Sequence, residues 1–470
     1  ESRFGRLLGA ADLGIYRAGN RVSGYLNGTW ETSLFGRLYR WASRAVGPYL
    51  ASSFFVQGLF GWPHDADLAP AETGRHATSP ALYVLALFLG LLPLLPDGAT
   101  PLMVAGIWGS ALLWLVHKVM VRDFSFRASS AMLPLAAMLL IAVGATVQSV
   151  DRGSSALNLV FWVSAAVLFV LMVNMVRNTR DAAVFLGPVL IGACLMTLWG
   201  LYQVKYPPLI EEAWVDPTEG EVIRVFASMK NPNYLAEYLL LSLPPAIALW
   251  FQHPRRRLEM ALIIGAMGLT LVLTGSRGGQ LAFAIALALL VLMRFPRWTV
   301  LLVLGALVVW QVAPASITNR LMTAFSAQHT SNQYRINVWL GVLSMVKNYW
   351  ALGTGLGAEA FGRVYQQFML PAARAAHAHN TYLQMLAEMG VFGFLFFLWS
   401  LLAVVRRLVV VGVKQHTSLL APAAAAALIG ILVHGLAEHI WYNPKLLFAF
   451  WAVAGLGMGL ALGDREDAAA

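Results

Sequence analysis

A short polar stretch, Ala375 to Gln384, places His377 and His379 directly before a long apolar run. A neutral imidazole beside an amide side chain such as Asn380 can be held in one orientation. An oriented imidazole can accept a proton from a hydroxyl group near neutral pH. Polar and aromatic residues are also common where helices leave a bilayer. The stretch alone therefore leaves catalysis and interfacial anchoring open.

Two arginines stand in turns that precede apolar runs. Arg224 is followed by Lys230 and Asn231, and Arg277 follows Ser276 in a hairpin with three glycines. A guanidinium stays charged and can bind phosphate through two parallel hydrogen bonds, and glycines let the backbone approach an anion. Snorkelling to lipid headgroups would explain either arginine alone. Two arginines on the same side of a membrane as a histidine favour a phosphate site.

The last cluster, His434 to Tyr442, ends a late apolar run. Its residues His434 and Glu438 are four apart, a spacing that predicts a shared helical face. Either Glu438 or Glu388 can orient the active histidine, or can pair with an arginine across the bundle, and the sequence leaves this open. No compact ligand motif supports zinc, so no metal is predicted. The residues considered for zinc are His377, His379, His434, Glu438 and His439.

Composition identifies the environment of these residues. The chain has 470 residues, of which 59% are apolar and 12% are charged, and its mean hydropathy is +0.65. Soluble domains carry about 25% charged residues. The single cysteine, Cys194, excludes an intrachain disulfide and a cysteine metal site. We therefore expect a polytopic membrane protein.

Twelve apolar segments are each close to the length that a bilayer requires, which predicts an all-α protein with about 12 transmembrane helices. Short connectors on one side hold thirteen basic residues, whereas those on the other side hold or border three. This asymmetry predicts that both termini are cytoplasmic. The predicted spans are 81–95, 99–116, 129–148, 156–176, 182–202, 233–251, 260–275, 278–293, 299–316, 381–405, 418–437 and 444–462.

Residues 1–79 differ from the rest and predict a cytoplasmic amphipathic segment. Within 33–46, apolar residues fall on one helical face and arginines on another, as in a helix that lies on an anionic leaflet or packs against the protein's own cytoplasmic ends. The run 49–62 is short for a span and is predicted to be interfacial.

Residues 80–470 are predicted to form the transmembrane domain, with two long outer loops at 205–232 and 318–380. The second loop, between spans nine and ten, has helical material of its own. Ile336 to Lys347 carries apolar residues at helical spacing. This pattern predicts a short amphipathic helix that lies at the outer interface or caps the bundle.

The order of these motifs resembles the O-antigen ligase and O-antigen polymerase superfamily of bacterial membrane glycosyltransferases. The resemblance covers most of 80–462, and the order of its weak motifs and their shared side of the membrane make it specific. The motifs are Arg224 with Asn231-Pro232-Asn233, Ser276-Arg277-Gly278-Gly279, Arg335-Ile336-Asn337-Val338-Trp339, Gly353-Thr354-Gly355-Leu356-Gly357, His379-Asn380 and Gly390-Val391-Phe392-Gly393.

This resemblance implies a fold of the GT-C type and transfer of a glycan from undecaprenyl pyrophosphate to an acceptor hydroxyl. The reaction would occur on the outer face of the bacterial plasma membrane, with inversion at the anomeric carbon and without a metal or other cofactor. His379 would be the base, Arg224 and Arg277 would hold the donor pyrophosphate, and Arg335 is a weaker candidate for the same ligand. Further substrate contacts are expected from Asn380, Lys230, Asn231, Ser276, His434 and Glu438.

Several alternatives remain at this level. The acceptor can be a glycan, a lipid or a protein, so a polysaccharide polymerase and a protein O-oligosaccharyltransferase fit the same motifs. The basic N-terminal segment and the stretch Arg335 to Trp339 resemble a branch of the superfamily whose members are described as bicarbonate transporters. A transporter of a small anion is the rival of another class, and it predicts ionisable residues and broken helices within the spans. Glu237 and Glu388 are the residues that favour it. Neither reading involves nucleic acid.

Overall fold

The computed structural model describes Arg37 and residues 78–121, 123–207, 224–312, 318, 330–414 and 418–469. The amphipathic helix predicted at 33–46 (Arg37 apart), the interfacial stretch 49–62 and parts of both outer loops lie outside the described residues. The described residues form helices joined by turns and contain no strand. The expectation of an all-α chain is therefore confirmed for them.

Fourteen α-helices are named here in chain order. Four short 3₁₀ turns lie in three of the connections, two of them between α1 and α2. The helices are α1 (Pro80–Leu91), α2 (Thr100–Met120), α3 (Met132–Gln148), α4 (Arg152–Met175), α5 (Thr179–Lys205), α6 (Pro232–Gln252), α7 (Arg257–Leu273), α8 (Arg277–Arg294), α9 (Thr299–Val312), α10 (Thr330–Asn348), α11 (Ala358–Tyr365), α12 (Thr381–Lys414), α13 (Leu420–His434) and α14 (Pro444–Ala469).

Each of the twelve predicted spans overlaps one helix. The two remaining helices, α10 and α11, lie in the second outer loop. By length and hydropathy, seven stretches of the described residues are long and apolar enough to cross a bilayer, and three shorter apolar helices accompany them. A multi-pass membrane protein is therefore supported, whereas twelve crossings remain a prediction. The seven stretches are Asp97–Met120, Arg152–Met175, Thr179–Lys205, Pro232–Gln252, Arg277–Arg294, Thr381–Lys414 and Pro444–Gly463.

The centre of the bundle is formed by α6, α13 and α14. The most apolar windows of α14 and α6 are 94% and 78% buried, against 22% for α2 and α8 at the periphery. Helix α13 contains five consecutive buried alanines, Ala423 to Ala427. It packs against α6, α8, α12 and α14. Small side chains allow helix backbones to approach closely, so α13 can lie between four neighbours.

Helix α12 is broken at Gly390, whose φ of 63° and ψ of −171° are not helical. The loop after α10 fills this break. Thr354 N donates to the Ala387 carbonyl at 2.9 Å, and Val391 N donates to the Trp350 carbonyl at 2.7 Å. The backbone groups that the break removes from the helical ladder are therefore satisfied by the protein's own backbone.

The glycine motif 353–357 forms this filling loop. Gly353 has a φ of 74°, and a Cβ there would lie 2.3 Å from the Glu388 carbonyl carbon. A Cβ on Gly390 would lie 2.2 Å from the Ala351 carbonyl oxygen. Two motifs that are far apart in the sequence therefore form one close backbone contact, and each requires glycine.

Helix α10 begins earlier and ends one residue later than the helix predicted at Ile336 to Lys347. Its buried face carries Val338, Val342 and Met345, which pack with α11 and the start of α12. In the predicted apolar stripe, Ile336, Leu340 and Leu343 are exposed, Leu340 by 49%, whereas Val346 packs against the buried cluster. One face of α10 therefore packs against the protein, while the other leaves an apolar surface exposed. This packing places Tyr334 and Arg335 beside the histidines.

Candidate active site

The carboxylate of Glu438 lies at the centre of the polar cluster. Its Oε1 is 3.0 Å from Nδ1 of His379, and its Oε2 accepts a hydrogen bond of 2.9 Å from the amide of Asn233. Oε2 also lies 3.9 Å from the guanidinium of Arg335. The backbone N–H of His439 donates to Oε1 at 3.1 Å. Residues from four distant parts of the chain therefore meet at one carboxylate.

His379 has the geometry of an oriented base. A hydrogen bond between Nδ1–H and Glu438 leaves the lone pair on Nε2, the nitrogen that can accept a proton. The ring of Tyr334 packs edge-on against it, with 5.5 Å between ring centroids. The backbone of His379 has a φ of 46°, an uncommon conformation for a residue other than glycine. The orienting partner is thus Glu438, and the adjacent Asn380 has a different role.

Three of the polar residues predicted to contact substrate are helix N-caps. Asn380 Oδ1 accepts hydrogen bonds from the backbone of Tyr382 and Leu383 at 3.0 and 2.9 Å. Asn231 caps α6, and Ser276 caps α8, in the same way. Capping satisfies N–H groups that a first turn leaves free. Helices α6, α8 and α12 therefore begin around this cluster.

Arg224 and the turn of Arg277 are brought together. Arg224 Nε donates to the Thr274 carbonyl at 3.0 Å, and its terminal nitrogen lies 3.4 Å from Asn233 Oδ1. Arg277 begins α8 three residues after Thr274. Asn233 thereby connects Arg224 to the carboxylate of Glu438. The structure brings these arginine-bearing segments to the same end of the bundle as the histidine.

His434 lies apart from Glu438, so the predicted shared helical face is wrong. Helix α13 ends at His434, and Glu438 lies in the connector that follows. His434 is 4% exposed, and its Nδ1 lies 3.1 Å from Oε1 of Glu237 in α6. A Cβ on Gly278 would be 2.8 Å from the His434 ring. His434 therefore packs under the start of α8 and contacts a different acid.

The residues that follow α13 are not helical, and their carbonyls accept hydrogen bonds from the start of α12. The Gly435 carbonyl accepts from Thr381 N at 2.7 Å, and the Leu436 carbonyl accepts from the Asn380 amide at 2.8 Å. The Glu438 carbonyl accepts from the Thr381 hydroxyl at 3.0 Å. These bonds hold Glu438 beside the first turn of α12 and thus beside His379.

Glu388 forms a separate hydrogen-bond network with Gln384 and Tyr442. Its Oε1 accepts from the Gln384 amide at 2.8 Å and from the Tyr442 hydroxyl at 2.9 Å. Gln384 Oε1 accepts in turn from the backbone N–H of Ala378 at 2.7 Å. Of the two acids that the sequence left open, Glu438 contacts His379, and Glu388 supports the loop that carries it.

Burial and charge set the protonation of the cluster. Burial alone would raise the pKa of Glu438, but His379, His377 and Arg335 hold it well below its usual value. Burial, together with His379 and Arg335, lowers the pKa of His377 to about 4, against the opposing effect of Glu438. Burial also lowers the pKa of His439 well below its usual value. At neutral pH Glu438 is therefore ionised, and His377 and His439 are neutral.

Three of the five residues considered for zinc come together. One donor atom from each of His377, His379 and Glu438 lies within 4.8 Å of the others. His434 is not in this group, because it pairs with Glu237. Histidine and carboxylate donors at this separation can bind a transition-metal ion.

The ion-pair partner of Lys230 is an acid outside the cluster around Glu438. The Lys230 side chain is 74% exposed, and its Nζ lies 3.1 Å from Asp97 Oδ2. Asp97 also lies 3.4 Å from the buried Nζ of Lys445. An apolar pocket near Lys445 is lined by Phe185, Tyr238 and other residues of α1, α5, α6 and α14, none of which is a predicted site residue. The pocket is therefore distinct from the cluster around Glu438.

Sequence reasoning missed Asn233 as a partner of Glu438 and missed Tyr334 as a site residue, and it gave no role to Gln384 and Tyr442, which end two of the candidate stretches. Asn233 carried a signal, since it stands in the Asn231-Pro232-Asn233 motif. Gln384 and Tyr442 lay in candidate clusters, but nothing local shows that both contact Glu388.

Comparison with known proteins gives a family match for the segment that carries part of this site. Residues 261–398 match the family model described as O-antigen ligase. The match includes Arg277, Arg335 and His379 and leaves out Arg224 and Glu438. No curated protein matches the chain. The match supports glycan transfer of the O-antigen ligase kind in general and confirms the resemblance of the sequence motifs. Residues 261–398 are therefore similar to an O-antigen ligase domain, which supports the O-antigen ligase superfamily for this part of the chain.

Proposed function

We propose that this protein transfers a glycan from an undecaprenyl-pyrophosphate donor to an acceptor hydroxyl on the outer face of the bacterial plasma membrane. The observation that carries the proposal is the hydrogen bond of 3.0 Å between His379 and Glu438, in a cluster that Arg335, Asn233 and Arg224 join. An oriented base beside guanidinium groups is what transfer to a hydroxyl from a diphosphate requires.

His379 is the proposed base. Glu438 accepts the hydrogen bond from Nδ1–H and stabilises the imidazolium that forms when Nε2 takes a proton. Glu438 is thus a positioning residue, since it acts through His379. Asn233 and the His439 backbone hold the carboxylate from its other sides. The imidazole therefore keeps one tautomer without moving during the reaction.

Arg224, Arg277 and Arg335 are the proposed ligands of the donor diphosphate. Guanidinium groups stay charged and can bind phosphate oxygens in pairs. The N-termini of α6, α8 and α12 add partial positive charge at the same end of the bundle. A leaving diphosphate gains most from donors that are already in place in a site with little water.

The reaction is a single displacement. The acceptor oxygen loses its proton to His379 Nε2 and attacks the anomeric carbon of the donor sugar. The bond from that carbon to the diphosphate oxygen breaks, and the electron pair leaves with undecaprenyl pyrophosphate. One displacement inverts the configuration at the anomeric carbon. The residues need no metal or nucleotide sugar for these steps.

The test is transfer by the purified protein in the presence of EDTA. A radiolabelled undecaprenyl-pyrophosphate oligosaccharide serves as donor, and an envelope extract of the source cells supplies acceptors. His379→Ala is expected to lower kcat by about 10²–10⁴-fold, and Arg277→Ala by about 10²–10³-fold. The matched control is His253→Ala, because His253 is exposed at the opposite end of α6.

Activity of His379→Ala close to that of the wild type would exclude the assigned base. Absence of transfer by the wild type with every acceptor would exclude the function. The product also tests its subclass. Longer lipid-linked glycan indicates a polymerase, glycosylated protein indicates a protein O-oligosaccharyltransferase, and glycosylated core lipid indicates a ligase.

An anion transporter is the second candidate, and the break at Gly390 beside the buried acid Glu388 favours it. The carbonyls at the break accept from Thr354 and Gly355, and Glu388 accepts from Gln384 and Tyr442. The carbonyls at the break and the Glu388 carboxylate therefore already have hydrogen-bond partners within the protein. A transported ion would need such groups as its ligands, so their pairing favours the enzyme. Uptake of radiolabelled bicarbonate into proteoliposomes separates the two candidates, because the enzyme predicts none.

A further inference from the structure

The histidine–carboxylate group beside the proposed base has the spacing of a metal site. Glu438 Oε1 lies 3.0 Å from Nδ1 of His379 and 3.7 Å from Nδ1 of His377. Ligands at about 2.0–2.2 Å from a tetrahedral zinc ion lie roughly 3.3–3.5 Å from one another. The two observed separations bracket that value. Small shifts of the side chains would therefore admit an ion between them.

The nitrogen of His377 that faces the acid carries a lone pair. His377 Nδ1 accepts a hydrogen bond of 3.2 Å from the backbone N–H of His379, so the ring proton is on Nε2. The left-handed backbone of His379 brings the two rings to 4.1 Å between centroids. Two imidazoles and a carboxylate thus face one point from a strained turn that the surrounding contacts hold.

A second observation comes from His439, the next residue after Glu438. His439 is 1% exposed, and neither of its ring nitrogens has a hydrogen-bond partner. Its ring centroid lies 6.0 Å from that of His377. A buried imidazole without partners costs free energy, which a ligand close to it would offset. A further nitrogen donor is therefore within a short side-chain movement of the group.

We propose that His377, His379 and Glu438 bind a divalent late transition-metal ion, represented by Zn²⁺, and that this ion switches off the transfer reaction. The site is thus inhibitory and not a cofactor site. The inhibitory part rests on the function proposed above, whereas the binding part does not. Two imidazoles and one carboxylate favour zinc, copper and nickel, whereas magnesium and calcium prefer oxygen ligands.

Inhibition follows from the tautomer of His379. In the hydrogen bond to Glu438, a neutral His379 ring donates from Nδ1–H, which leaves the lone pair on Nε2. A metal ion between His379 and Glu438 takes Nδ1 as its ligand, so the proton moves from Nδ1 to Nε2. The ring stays neutral and no proton is released from it. Nε2 then carries a proton and cannot accept one from the acceptor hydroxyl.

The experiment measures zinc binding and transfer on the full chain in detergent. Zinc binding is measured by competition with a chromophoric chelator, and transfer is measured at buffered free zinc concentrations. The variant is His377→Asn, because an asparagine side chain can also accept from the N–H two residues on and so preserves the turn. The control is His253→Asn, which removes an exposed histidine at the other end of α6.

We expect the wild type and His253→Asn to lose transfer as zinc rises and to regain it with EDTA, while magnesium has no effect. Relative to its own activity without zinc, His377→Asn needs at least about tenfold more zinc for half inhibition, and it binds one zinc ion fewer. Size-exclusion elution checks that each variant is folded.

Equal zinc binding and equal inhibition of the wild type and His377→Asn would overturn the proposal. If the wild type shows no transfer at all, the proposed function fails and the binding comparison decides the metal site alone. Loss of one bound zinc ion in His377→Asn then still supports the site, and unchanged binding overturns it.

Discussion

At the scale of single residues, Glu438 does the most to assemble the site. Its two oxygens contact His379, Asn233 and Arg335, and its carbonyl holds Thr381. A buried carboxylate is costly unless charged or polar partners satisfy it. Here the partners come from α6, α10 and the start of α12, so satisfying the charge of Glu438 also brings these elements together.

Glu438→Gln tests the positioning role. The variant keeps the shape of the side chain but removes the charge that stabilises the imidazolium, so kcat should fall by about 100-fold while KM changes little. Glu438→Asp should recover part of the loss. The control is Glu359→Gln, an exposed acid in the first turn of α11. A twofold change or less in kcat of Glu438→Gln would contradict the role.

The lowered pKa values of His377 and His439 predict that the folded protein is less stable at acid pH. Between the ordinary pKa of 6.5 and the folded pKa of about 4, the unfolded chain binds a proton at His377 that the folded chain does not. Stability therefore falls as pH falls through this window. Glu438 acts in the same direction below its ordinary pKa of 4.5, since its folded pKa is lowered.

The thermal midpoint of the detergent-solubilised protein should thus drop from neutral pH to about pH 4, and His377→Asn should reduce the drop. His439 also has a lowered pKa, so part of the slope should remain in the variant. A pH dependence identical to that of the wild type would show that His377 does not contribute. An unchanged midpoint in the His253→Asn control would show that the effect is local.

At the scale of elements, the site depends on where helices begin and break. Asn231, Ser276 and Asn380 start α6, α8 and α12 around the cluster. The break at Gly390 lets the glycine loop enter between α12 and its neighbours. The loop returns the chain from α10 towards the histidines. Capping and glycine positions therefore decide the geometry of the site without contacting it.

Gly390→Ala is expected to destabilise the protein. Its φ of 63° is unfavourable for alanine, by about 1–2 kcal/mol, and the new Cβ would overlap the backbone of Ala351. The matched control is Gly362→Ala, since Gly362 is inside α11 with no atom within 4 Å of its Cβ position. That change should stabilise by roughly 0.5–1 kcal/mol. Thermal midpoints of the two variants that move in the same direction would contradict this account.

At the scale of the whole molecule, the bundle gathers polar segments at one end and leaves an apolar interior. Asn233, Arg335, His379 and Glu438 meet at that end. His253, Arg255 and Arg297 lie at the other ends of the helices that carry or neighbour the site. The charge asymmetry predicts that the first end faces outward and the second faces the cytoplasm.

Cysteine labelling in intact cells tests this orientation. With Cys194 replaced by serine, we expect a membrane-impermeant maleimide to label Lys230→Cys and Arg363→Cys, whose native side chains are 74% and 61% exposed. Arg255→Cys and Arg297→Cys should be labelled only after permeabilisation. Labelling of either of these two positions in intact cells would reverse the predicted topology and place the site on the cytoplasmic side.

Helix positions followed largely from the local sequence. The span predicted at 233–251 corresponds to α6 at Pro232–Gln252, and that at 156–176 corresponds to α4 at Arg152–Met175. Apolar run length and helix-starting residues such as Asn231 and Asp151 act over a few residues, so they can be read without the fold. The motifs also identified His379, Arg277 and Arg335 as candidates within the matched domain.

Which partners these residues meet was decided only by the tertiary structure. The sequence by itself determined a helical membrane bundle with a histidine and arginines at candidate positions, because hydropathy and caps are local properties. It could not choose between Glu388 and Glu438, and it placed His434 beside Glu438 by helical spacing. Glu438 reaches His379 across 59 residues only because the connector ends α13 and caps α12. Such contacts depend on how separate helices pack, and no local pattern of residues encodes that packing.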